Sequence, residues 1–185
     1  MAISDKEWLR MLLQKKALRA GKFTFTSGLK SNFYLDCRVV TLSAEGAWLI
    51  GRMLFNLVAG LNVNAIGGPT LGADPIVTAV LFQSYPKGNP MNGFLVRNEP
   101  KKHGTQRLIE GNLPADCRVV LVDDVISTGG SLLGAIEAVE AKGCTVVAII
   151  TLADWQKGGS KLLISKGYNF ISLYEISPEG IVKIV

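Results

Sequence analysis

Short apolar strands alternate with helical periods along most of this chain, and few architectures accept that order. Ala65-Ile66 is a buried strand that runs into the glycine-rich GGPTLGADP, and a helix follows over about residues 75–82. Residues 93–96 form another strand. Residues 118–122 are a buried strand, and Leu132, Leu133, Ile136 and Val139 mark the inward face of the helix after it. A β-branched strand at 145–152, a helix at 160–166, a strand at 170–174 and a last short strand at 181–185 complete the series. This alternation predicts an α/β fold, a mainly parallel twisted sheet flanked by helices on both faces, with right-handed crossovers. Ligands of such sheets lie beyond the carboxyl ends of the strands, where Gly67, Arg97 and Asp123 fall.

The first 40 residues follow a different pattern. Ser4, with Glu7 three residues on, forms a capping box for a helix carrying Trp8, Leu9, Leu12, Leu13 and Leu18 and ending at Gly21. KFTFTSGLKSNFYLDCRVV then alternates as two strands around Ser27-Gly28. Ser43 opens a second helix, with Trp48, Ile50, Met53, Leu54 and Leu57 expected inward and Gly60 as its stop. The stretch 97–114, RNEPKKHGTQRLIEGNLP, is polar, lacks a period and reads as a long loop of the functional kind. No repeat or linker divides the 185 residues, so a single domain is expected.

Ser127-Thr128-Gly129-Gly130-Ser131 has the makings of an anion cup. Two successive glycines let the backbone turn N–H groups inward, a helix begins there, and three hydroxyls add donors. It is neither a Walker A loop nor G-x-G-x-x-G. Asp123 and Asp124 stand just before it, where bare carboxylates would repel a phosphate. The conflict disappears for a ribose 5-phosphate: the cup takes the phosphate, and the carboxylates accept hydrogen bonds from the sugar hydroxyls. The plainer alternative is a pair of strand-end acids capping the next helix. Two acids, three residues and then T-G-G-S is too specific a pattern to favour it.

Composition narrows the partners. Apolar residues at 48% and charged residues at 19% describe a globular chain. The net charge of +5 is scattered apart from Lys15-Lys16 and Lys101-Lys102, so no stripe for nucleic acid forms. The N-terminus mixes charge among its apolar positions, unlike a signal peptide, and Arg52 and Asn56 interrupt the longest apolar stretch, so no membrane span is expected. Cys37, Cys117 and Cys144 lack metal-site spacing and read as free thiols, which together suggest a cytoplasmic protein. His103 is the one histidine, which rules out sites that need two.

VVLVDDVISTGGS resembles the phosphoribosyl-pyrophosphate (PRPP) signature of the type I phosphoribosyltransferases. FTFTSGLKSNFYLDCR, GGPTLGADP and RNEPKKHGTQRLIEG are similar to the orotate-using members, over nearly the whole chain. The resemblance implies that fold with a small N-terminal hood built from about residues 1–40. It implies transfer of the phosphoribosyl group of PRPP to orotate, giving orotidine 5′-monophosphate and pyrophosphate in pyrimidine synthesis. Asp123 and Asp124 would hold the ribose and, through ribose and water, Mg2+. Val125, Ile126, Ser127, Thr128, Gly129, Gly130 and Ser131 would cradle the 5′-phosphate, with Asn98 and Trp155 also bordering the substrates. Arg97, Lys101 and His103 would grip pyrophosphate from a lid that reaches the neighbouring subunit of a homodimer.

This chain also departs from the family pattern. Asn98, Thr26 and Leu71 stand where many or some members carry Lys, and Ser127 replaces a Thr. Trp155 replaces an Arg that touches orotate, and an indole stacks but offers no charged fork. The ribose-phosphate half is intact while the base half is partly rewritten. Three readings stay open: the orotate enzyme, a transferase for another base, and a PRPP-binding regulator without catalysis.

Overall fold

The computed structural model describes residues 3–24, 30–99 and 107–185, with residues 24 and 30 described by backbone alone. Seven strands form one sheet: β3 (Ala65–Pro69), β4 (Asn92–Val96), β5 (Ile109–Gly111), β6 (Arg118–Ile126), β7 (Thr145–Asp154), β8 (Phe170–Ile176) and β9 (Val182–Ile184). Their order is β5-β4-β3-β6-β7-β8-β9. The five central strands are parallel, and only the edge strands β5 and β9 run antiparallel. The mainly parallel α/β sheet expected from the alternation is therefore present.

Strand order fixes where the helices lie. From β3 the chain moves one way, through α4 (Ala73–Ser84) to β4, and from β6 the other way, through α5 (Gly130–Glu140) to β7. Right-handed crossovers in opposite directions put the two helices on opposite faces. α4 accordingly packs with Val120 and Val122 of β6, and α5 with Val119 and Leu121, because successive strand residues face opposite ways. α6 (Gly159–Ser165) joins the α5 face through Leu163. β6 reads as a continuous apolar run because both its faces are covered. Between β3 and β6 the winding reverses, which opens a crevice at their carboxyl ends.

The N-terminal part packs onto the α4 face. Ser4 Oγ accepts from the Glu7 N–H at 3.2 Å, as a cap should. The helix it opens, α1 (Asp5–Leu12), passes into a single π turn, Leu13–Ala17. Leu18 was expected inside this helix; it instead begins β1 (Leu18–Thr24), which pairs antiparallel with β2 (Lys30–Leu35). The turn expected at Ser27-Gly28 lies outside the described residues. Tyr174, fully buried in β8, donates its hydroxyl to the Lys6 carbonyl at 2.7 Å and ties α1 to the sheet.

Three further expectations need correction. In α3 (Ala44–Val58), capped by Ser43 as read, Trp48 and Leu57 point outward, and Leu49, Phe55 and Val58 fill the core instead. The apolar stripe is broad, and α1 and α4 select which part of it is covered. A short helix, α2 (Arg38–Thr41), precedes it unannounced by any period. The supposed loop 97–114 contains β5, whose pairing with β4 makes the excursion a hairpin with a fixed stalk. All three cysteines are free and buried. Among the described residues, no helix is long and apolar enough to cross a membrane.

Candidate active site

The crevice at the winding reversal gathers the turns that follow β3, β6 and β7. The sequence suggested that β6 stops at Val122, but its ladder with β7 runs on to Ile126 opposite Asp154. Asp123 and Asp124 are therefore strand residues, held by the pairing of β6 with β7 rather than by a loop. Asp123, only 8% exposed, borders a small cup of about 210 Å³ with residues 125–132. Asp124, half-buried, borders a larger cleft of about 580 Å³. The Asp124 N–H donates to Asp123 Oδ1 at 2.9 Å.

Both carboxylates press against the turn after β3, where the Thr70-Leu71 peptide is cis. A Cβ on Gly72 would stand 2.2 Å from Asp123 Oδ1 and 2.5 Å from Asp124 Oδ1, so a side chain there would displace both carboxylates. Burial pushes the Asp123 carboxyl well above the usual carboxylate range, and the Asp124 charge adds to it. Burial raises Asp124 as well, against the backbone hydrogen bond from Val125. Two adjoining acids with little water favour a proton, a cation or hydroxyl donors between them.

The cup is built from the turn into α5. Gly129 takes φ +86°, which a side chain rarely allows, and no side chain caps the helix, so the N–H groups of its first turn remain open to an anion. Ser127, Thr128, Gly130 and Ser131 are exposed around it. Ile126 sends its side chain into the core, so its backbone is what borders the cup. Gly159, at the start of α6, forms one wall: its N–H donates to the Ser127 carbonyl at 2.9 Å.

Trp155 closes the other side of the cleft. It is 8% exposed and stacks on Phe33 of β2, with ring centroids 5.8 Å apart and an interplanar angle of 7°. It also meets Tyr34 at 6.4 Å. The indole thus anchors the β1–β2 hairpin to the end of β7. The cleft includes residues that the sequence reading did not single out: Tyr34, Asp36, Arg38, Thr70, Gly72 and Lys157. Arg38 Nε donates to Asp36 Oδ1 at 2.9 Å, which holds Asp36 below the ordinary carboxylate range and raises Arg38. An acid and an arginine two apart, directly after the aromatic NFYL, was the available clue.

The residues expected to form the lid divide. Asn98 borders the main cleft. Arg97 faces the adjoining groove along α5, with its Nη1 3.7 Å from Glu110 Oε1. Its backbone N–H donates to the Leu108 carbonyl, closing the stalk. Lys101 and His103, and Thr26 on the β1–β2 side, lie outside the described residues. Among those described, no group of three or more His, Cys, Asp or Glu side chains could hold a metal ion by itself.

Known proteins match this arrangement. A family model described as "Phosphoribosyl transferase domain" matches residues 91–181. An orotate phosphoribosyltransferase of Aquifex aeolicus is 38% identical over 96% of this chain and 98% of its own length. The crystal structure of the Mycobacterium tuberculosis H37Rv orotate phosphoribosyltransferase with Fe(III) dicitrate superposes with a TM-score of 0.82, at 35% identity, covering 95% of this chain and 98% of that one. The same mycobacterial protein has been solved with PRPP, and that structure gives a TM-score of 0.78 at 31% identity with the same coverage. Identity of 38% over nearly the full length of both chains, with a shared fold, places this chain in the orotate phosphoribosyltransferase family.

Proposed function

We propose that this protein joins orotate to the C1 carbon of PRPP, forming the C1–N bond as the C1–O bond to pyrophosphate breaks. The observation that carries this reading is the uncapped start of α5 set beside a buried acid pair at the winding reversal of the sheet. The N–H groups and hydroxyls of residues 127–131 hold the 5′-phosphate. Asp123 and Asp124 accept hydrogen bonds from the ribose hydroxyls, and their charge lies near the carbon that turns positive as the bond breaks. Tyr34 and Trp155 flank the base. Arg97, Lys101 and His103 meet the leaving pyrophosphate when the lid closes and excludes water.

Mg2+ fits this donor set. The ion commonly takes one or two carboxylates and fills its remaining positions with substrate phosphates and water, so the absence of a complete protein cage is no obstacle. Asp123 and Asp124, both raised by burial, would hold it through ribose and water. When bound it neutralises charge on the departing pyrophosphate.

The working unit in this reading is a homodimer whose lids reach across, each chain being one domain with residues 1–40 forming the hood. An apolar groove between α2, α3 and α4 supports a second copy as occupant. It is lined by the exposed Leu42, Trp48 and Phe82. Buried thiols suit a reducing cytoplasm.

Trp155 favours one alternative, a transferase for another base. A panel of orotate, uracil and purines with PRPP and Mg2+ separates the two, and loss of orotate absorbance is the expected result. Turnover with uracil or a purine but not with orotate would overturn the orotate assignment. PRPP binding without turnover of any base would indicate a regulator. Lys101→Ala is expected to lower kcat by about a hundredfold while PRPP affinity changes little, because the lid acts on charge that gathers in the transition state. Equal losses in rate and affinity would count against a catalytic lid.

A further inference from the structure

The base half of the cleft presents a problem of charge. A base bearing a carboxylate needs a cation beside it, and the residue after Asp154 supplies none: Trp155 is buried and stacked flat on Phe33. Among the described residues, two cations line the cleft, Arg38 and Lys157. Arg38 already faces the charge of Asp36, to which its Nε donates at 2.9 Å. Lys157 makes no ion pair among the described residues.

Lys157 sits on a turn of fixed shape. The Trp155 N–H donates to the Ile126 carbonyl at 2.9 Å, and the Gly159 N–H donates to the Ser127 carbonyl at 2.9 Å, so both ends are fastened to the strand end and the cup. Between them, Asp154 Oδ1 accepts from the Gln156 N–H at 2.7 Å, and Gln156 takes the left-handed φ of +52°. Gly158, at φ +97°, completes the reversal. Lys157 is thereby held at the cleft, on the turn that joins Trp155 to the Gly159 wall of the cup, and its long stem is free to adjust.

We propose that Lys157 is the residue that reads the carboxylate of the base and so sets the preference for orotate over uncharged pyrimidines. This proposal rests on the phosphoribosyl-transfer reading above. The charge is displaced two residues along the turn from the position that Trp155 now uses to anchor the hairpin.

The test compares the parent with K157Q, K157E and K157R, using orotate and uracil, which share a ring but differ in the carboxylate. K157Q is expected to raise KM for orotate about tenfold, as befits a lost hydrogen bond to a charged group, with kcat near the parent value. KM for PRPP should hold, and the orotate-over-uracil preference should fall by about the same factor. K157E should be worse than K157Q, and K157R should recover most of the loss. An unchanged orotate KM in K157Q, or an equal rise in KM for PRPP, would overturn the proposal. If the parent turns over no base at all, the transfer reading fails by itself. Calorimetry of orotate and uracil on the same proteins then decides: selective loss of orotate affinity in K157Q supports Lys157 as the carboxylate reader, and equal affinities overturn it.

Discussion

Asp123→Asn is expected to yield a protein that, without ligand or Mg2+, melts higher than the parent at pH 8, yet has lost about a hundredfold or more of its PRPP-dependent turnover. The side chain is 8% exposed and lies beside Asp124. Burial and that neighbouring charge both raise its pKa, so ionising it costs the folded state. Asparagine keeps an acceptor for the Asp124 N–H and removes the charge.

The sign of the pH dependence follows from the raised value. Below the ordinary carboxylate range, folded and unfolded chains both hold the proton, and the parent bears no penalty. As pH rises through that range the unfolded chain releases its proton first, so the parent loses stability until its own raised value is passed. The melting gap between variant and parent should thus be small near pH 3 and clearly larger at pH 8. For a chain of this length 1 kcal/mol moves Tm by about 2–4 °C, so a gap of a few degrees is readable by scanning calorimetry. Equal melting at pH 8 would mean that the acid pair is already compensated, and the view of it as a seat for cation and sugar would lose its basis.

Gly159→Ala carries the second large effect: PRPP affinity is expected to fall tenfold or more by calorimetry, with a lower Tm. The added Cβ would lie 2.6 Å from the Ser127 carbonyl oxygen and 2.7 Å from the Gly129 nitrogen. Both are backbone atoms of the cup and cannot swing aside as a side chain would. The wall or the cup must move, and overpacking of this kind costs about 1–3 kcal/mol. Gly134→Ala serves as the control, since a Cβ there meets nothing within 4 Å and replaces glycine in the middle of α5. It should gain roughly 0.5–1 kcal/mol from helix propensity and leave PRPP binding intact. Unaltered PRPP affinity in Gly159→Ala would place the phosphate elsewhere.

Local chemistry in the sequence was enough for much of this protein. The serine caps at Ser4 and Ser43, the glycine turn into α5 and the β-branched runs act over a few residues, so their outcome does not depend on the rest of the chain. They fixed the alternation of strand and helix, the parallel sheet and the pairing of an acid step with an anion cup. The family pattern added the orotate-using lineage.

Other features depended on contacts between distant segments. β6 continues through two acids because β7 pairs with it there, whereas the sequence suggested an end at Val122. Trp48 and Leu57 stay largely exposed because α4 covers a different part of the α3 stripe, and Trp48 meets α1 only edge-on through Trp8. Trp155 became an anchor only on meeting Phe33, and Lys157 a cation of the cleft only through the turn between β7 and α6. Periodicity along a chain states which side of an element is apolar. Which partner covers that side, and which side chains meet across a crevice, is set by strand order and packing, where contacts between remote residues outweigh local preference.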